Sequence, residues 1–105
     1  MLSLQEQEGP IEQRIETTLI EATPESWRIA RLDIEVKEEN GMISMPHIIS
    51  SPEGLRDIVS ATDEILDATF ELLELFRNHG KPWRQLSFEV TEEDGNWRYV
   101  AHFDY

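Results

Sequence analysis

Residues 82–105 (PWRQLSFEVTEEDGNWRYVAHFDY) alternate apolar and polar positions in two runs that agree with each other. Leu86, Phe88 and Val90 fall on one side of the first run, and Trp97, Tyr99, Ala101, Phe103 and Tyr105 on one side of the second. A period of two marks a half-buried strand. With Asp94-Gly95 as a two-residue type I′ turn, Glu93 faces Asn96, Val90 faces Tyr99, Phe88 faces Ala101 and Leu86 faces Phe103. This register gathers the large apolar residues on one face and leaves only Val100 on the other.

A second hairpin is predicted upstream. Ala30, Leu32, Ile34 and Val36 alternate with Arg31, Asp33, Glu35 and Lys37, and Asn40-Gly41 is a strong turn signal. The same two-residue register sets Val36 against Met45, Ile34 against His47 and Leu32 against Ile49. Pro46 then faces Glu35 and marks its strand as an edge, or ends it early.

Two helices complete the pattern. Leu4, Ile11, Ile15, Leu19 and Ala22 form a thin helical stripe that Gly9-Pro10 interrupts. The ordered helix is therefore expected to begin near Pro10, with residues 1–8 frayed, and to stop at Thr23-Pro24. Residues 24–27 form a connector that buries Trp27. A longer helix is predicted from Ser51 as N-cap and Pro52 at its first position to about Asn78. Its stripe is Leu55, Ile58, Val59, Thr62, Leu66, Thr69, Leu73 and Phe76, widened by Ile65, Phe70 and Leu72. Gly80 and Pro82 end it. The order α-β-β-α-β-β, with one apolar side per element, predicts an α+β two-layer sandwich: an antiparallel-rich sheet with both helices on one face. At 105 residues this is a single domain, 1–105; the strand order stays open.

Charge changes the picture more than composition does. Asp and Glu number 22 against 9 Lys and Arg, giving a formal net charge of −13. Such a surface repels phosphate backbones and anionic lipid, and attracts and steers a basic protein. There is no cysteine, no apolar run of membrane-spanning length and no signal-peptide pattern, so a cytoplasmic location is expected.

Candidate chemistry is sparse. Glu35-Val36-Lys37 matches half of a metal-dependent nuclease signature, with Asp33 nearby, yet alternating charge on a wet strand face accounts for these residues as well. His47, His79 and His102 lack ligand spacing. His79 suits a helix C-terminus, His102 faces Ser87, and His47 reads as a hydrogen-bonded rim residue. No serine elbow or phosphate-cradling glycine loop is present. No catalytic residue, metal or cofactor is expected. Two surfaces could dock a partner. Asp63, Asp67, Glu71 and Glu74 lie on one helix face, where like charges at this spacing cost about 0.2–0.5 kcal/mol per pair. The open side of the sheet carries Asp33, Glu35, Glu89, His102 and Asp104 with Ile48 and Val100, the mixture of a protein-binding face.

The run Phe76-x-x-x-Gly80-x-Pro82-Trp83, then Leu86-x-Phe88, an acidic glycine turn and Phe103-Asp104-Tyr105 resembles the C-terminal half of YezG-like immunity proteins. Pro24-x-x-Trp27 before a strand is similar to their N-terminal half. The resemblance implies a non-enzymatic antitoxin. Such a protein binds and blocks the toxic C-terminal domain, often a nuclease, of a polymorphic or contact-dependent growth-inhibition toxin. It also implies that Trp27, Trp83, Phe88, Phe103 and Tyr105 lie in or beside the core. The alternatives are a general interaction adaptor of the same fold and a small metal-dependent hydrolase using Asp33, Glu35 and His102.

Overall fold

The computed structural model describes residues 3–54 and 59–105. Its elements are α1 (Leu4–Ala22), β1 (Ile29–Glu35), β2 (Lys37–Glu39), β3 (Met42–Ser44), β4 (His47–Ser50), α2 (Asp63–Asn78), β5 (Gln85–Glu93) and β6 (Asn96–Asp104). Four strands form one sheet in the order β4-β1-β5-β6, every neighbour antiparallel. The predicted α+β order stands, with each arm of the first hairpin split in two.

Both turns adopt the expected geometry. Asn40 and Gly41 have φ of 53° and 77°, and Asp94 and Gly95 have 53° and 81°, the left-handed pair that a type I′ turn needs. Val90 pairs with Tyr99, Phe88 with Ala101 and Leu86 with Phe103. In the first hairpin Leu32 pairs with Ile49 and Ile34 with His47. That hairpin bends at Val36, whose N–H goes to the Arg84 carbonyl at 2.8 Å. Its tip thus becomes a separate β2–β3 ribbon. Pro46 offers no N–H to continue the ladder, and β4 is an edge strand as expected.

The core lies between the helix pair and one sheet face. Ile15 and Leu19 of α1, Ile65, Leu72, Leu73 and Phe76 of α2, Ala30, Leu32 and Ile34 of β1, and Leu86, Phe88 and Val90 of β5 are all buried. Trp27 is buried too, its N–H closing a turn onto the Pro24 carbonyl at 2.9 Å. Phe103 stacks on Phe76 with ring centroids 4.8 Å apart and tilts against Trp83 at 6.0 Å. Among the described residues, no helix is long and apolar enough to cross a membrane.

Four expectations need correction. First, α1 begins at Leu4, ahead of Pro10. Ser3 caps it, its hydroxyl oxygen accepting from the Glu6 N–H at 3.2 Å while Glu6 sits at the third helical position. The Ser3 hydroxyl also donates to Glu6 Oε1 at 3.2 Å, and this N-terminal cap outweighs the proline, which costs one internal hydrogen bond. Second, α2 begins at Asp63 rather than after Ser51. Thr62 is its N-cap, accepting from the Ile65 N–H at 3.3 Å, and Asp63 and Glu64 suit the positive end of the helix. Ser51 instead opens a turn closed by the Gly54 N–H at 2.9 Å, and Gly54 has a left-handed φ of 81° that no right-handed helix accepts. Leu55 and Ile58 of the predicted stripe lie outside the described residues. Third, Leu66 and Phe70 are exposed, because the buried stripe of α2 is centred on Ile65, Ala68, Thr69, Leu72 and Phe76. Fourth, Tyr105 is 66% exposed, since it lies beyond the end of β6.

Candidate functional site: the open face of the sheet

Neither helix covers the second face of the sheet, because every buried side chain of β1 and β5 points to the other one. The strand registers align the outward residues in rows across the sheet. One row runs Ile48, Asp33, Ser87, His102; the next runs Ser50, Arg31, Glu89, Val100; a third runs Glu35, Gln85, Asp104. All five predicted sheet-face residues, Asp33, Glu35, Glu89, His102 and Asp104, therefore share one surface. Ile48 is 63% and Val100 70% exposed among them. A shallow cleft of about 310 Å³ crosses this face, lined by Asp33, Glu35, Pro46, Ile48, His102 and Asp104 among others.

A polar triangle holds the centre. The Arg31 guanidinium donates from Nε to Asp33 at 3.1 Å and from Nη2 to Ser87 Oγ at 2.9 Å. The Ser87 hydroxyl in turn donates to Asp33 Oδ1 at 2.6 Å. Ser87, His102 and Asp104 are the residue types of a nucleophilic triad, and His102 Nε2 lies 3.5 Å from Asp104. Yet the Ser87 proton is directed at Asp33, whereas a serine nucleophile must be hydrogen-bonded to its base. Glu35 has Lys37 at 4.0 Å, and Asp33 is already engaged by Arg31 and Ser87. Among the described residues, no cluster of three His, Asp or Glu is arranged to hold a metal. This face is a patterned, mostly polar surface with exposed Ile48 and Val100 set among its charged rows.

The second predicted surface is less uniform than its sequence. Glu71 accepts from Arg14 of α1 at 2.6 Å, and Glu74 lies 3.7 Å from Arg77. The strip therefore divides into a partnered half and an outer half of Asp63 and Asp67. Asp67 borders a hollow shared with Leu66, Phe70, Met45 and His47.

His47 is the hydrogen-bonded rim residue expected of it. Nδ1 meets the Met45 carbonyl and Nε2 lies 2.8 Å from Thr69 Oγ1. Burial lowers its pKa, and the Met45 carbonyl only partly offsets that. His79 caps the C-terminus of α2.

Sequence reasoning missed two groups. Arg31 organises Asp33 and Ser87, and its signal was available: it sits two residues from Asp33, on the same side of β1. Glu12, only 7% exposed, accepts from the Tyr99 hydroxyl at 3.2 Å. Burial first, then the neighbouring Glu8 carboxyl, raises its pKa to about 7. Burial and Glu12 together push the Tyr99 hydroxyl up to about 12. The only hint in sequence is the Glu8, Glu12, Glu16 spacing beside the stripe of α1.

No protein-family model matches this chain, and no curated protein matches it either.

Proposed function

We propose that this protein is a non-enzymatic immunity protein. It neutralises a basic toxin domain, a nuclease in the leading case, by stoichiometric binding through the open face of its sheet. The observation that carries this reading is the face that neither helix nor any other described residue covers: rows of Asp33, Glu35, Glu89 and Asp104 around exposed Ile48 and Val100. A nuclease domain must be basic where it grips phosphate, so a chain of net charge −13 meets it with complementary sign. Long-range attraction speeds encounter, and desolvated apolar contacts at the centre slow release. The resemblance of the Pro82-Trp83 to Tyr105 segment to immunity proteins supports the same reading. A cytoplasmic location belongs with it, because the toxin would be met where it acts.

The test is co-expression with the toxin domain encoded immediately upstream. The expected outcome is a one-to-one complex that survives purification and protects cells from the toxin. If the two proteins neither associate nor protect, the reading fails. If instead the chain captures a partner unrelated to any toxin through the same face, it is an adaptor.

A further inference from the structure

The sheet order leaves two edges, and they are treated differently. β4 is short, four residues, and follows Pro46, a usual device for blunting an edge. β6 runs for nine residues without proline or glycine, and among the described residues nothing pairs with its outer side. The Arg84 N–H donates to the Asp104 carbonyl at 2.7 Å, so the even-numbered residues of β6 turn their backbone groups towards β5. Trp97, Tyr99, Ala101 and Phe103 therefore point theirs outward. Their side chains are only half-buried, and Val100 is exposed on the opposite face. The edge thus carries unpaired backbone donors and acceptors between two incompletely covered apolar faces.

Charge selects the occupant. In a chain of net charge −13, β6 holds one Arg and one Asp and is formally neutral with His102 uncharged. The strand itself adds no net charge to the approach of a second copy, although Glu8, Glu12 and Glu16 of α1 lie near Tyr99 on its inner side.

We propose that β6 pairs antiparallel with β6 of a second copy of this chain, about a two-fold axis through Ala101. In that register Ala101 faces its own counterpart, and Tyr99 faces Phe103 of the second copy. Both are pairs whose backbone groups point outward, so each exchanges hydrogen bonds in both directions. On the outer face Val100 meets His102 and Arg98 meets Asp104 of the second copy, twice over by symmetry. Opposite charges and aromatic pairs placed directly across from one another stabilise a strand pair. Sliding to an axis at Val100 would set Arg98 against His102 and Asp104 against Asn96, losing the ion pairs. Arg98 already touches Glu93, but both are exposed, and such a pair holds its partners weakly. The interface is isologous and closes after two copies. It joins the two open faces into one continuous surface and does not depend on the toxin reading.

Light scattering of the full chain across roughly 1–500 µM tests this, a range suited to a small, weak interface. The mass should rise from monomer to dimer. Ala101→Pro removes an outward N–H that β5 does not use, and should weaken association at least about tenfold. Arg98→Asp and Asp104→Arg should each weaken it, and the double exchange Arg98→Asp/Asp104→Arg should restore it. A monomer at every concentration would overturn the proposal. So would a dimer indifferent to Ala101→Pro, or single exchanges that the double exchange does not rescue.

Discussion

Ala30, Leu32, Ile34, Leu86, Phe88 and Val90 are sealed from water on the inner face of the sheet, while one residue along each strand Arg31, Asp33, Glu35, Ser87 and Glu89 face outward, exposed or half-exposed. The same strands thus serve two ends, divided by parity alone. Substitutions at inward positions should alter stability, and those at outward positions should alter recognition. The comparison breaks if the two effects mix.

The largest effect is expected inside. Phe88 is fully buried and stacks on Tyr99 with ring centroids 5.0 Å apart. Phe88→Ala should cost about 3–5 kcal/mol, much of the stability of a small domain, measured by urea unfolding. A loss below about 1 kcal/mol would mean that the inner face is not packed as described.

Next comes the buried acid. The Glu12 pKa is raised from 4.5 to about 7, so the native state holds more protons than the unfolded one between those values. The Glu12 contribution is therefore full below pH 4.5 and is lost as pH rises through about 7. Glu12→Gln mimics the protonated form. It should stabilise the protein at pH 8 by on the order of 1–3 kcal/mol and change little at pH 5. His47 acts with the opposite sign: its pKa is lowered, so its contribution is present above 6.5 and declines as pH falls through its folded value. A Glu12→Gln effect of equal size at both pH values would contradict the assignment.

A smaller effect is expected at the corrected helix start. Thr62→Ala removes the cap of α2 and should cost about 1 kcal/mol, read from the same unfolding curves. Ser51→Ala, which would cost a similar amount had the helix begun there, should leave α2 helicity unchanged.

What the sequence disclosed follows the range of each interaction. The hairpin registers were legible because a two-residue turn and a period of two are both local: Asp94-Gly95 fixes Glu93 against Asn96, and each later pair follows. The place of β1 beside β5 was not, because Arg31 and Ser87 meet across 56 positions of chain. For the same reason the acidic strip read as unbroken: Arg14 reaches Glu71 from the other helix. Glu12 was invisible because its burial depends on Tyr99 in the last strand. At the start of α2 the Ser51-Pro52 signal misled, because Gly54 is left-handed, which no right-handed helix accepts, and the cap falls at Thr62 instead. On the candidate face, alternation identified the outward residues, but not the Arg31–Asp33–Ser87 triangle that fixes its centre.

On the function proposed above, the outward face of the sheet, rather than the acidic face of α2, binds a basic toxin domain. Calorimetric titration of the toxin domain encoded upstream into Glu35→Lys/Glu89→Lys and, separately, into Asp63→Lys/Asp67→Lys tests it most directly. Glu35 and Glu89 face outward on their strands, so the sheet variant should unfold within about 0.5 kcal/mol of the parent, whereas reversing Asp63 at the positive end of α2 should cost the helix variant about 1 kcal/mol without unfolding it. The sheet variant should bind at least about tenfold more weakly, and the helix variant within a few-fold of the parent. Unchanged binding by the sheet variant, with loss in the helix variant, would contradict the account.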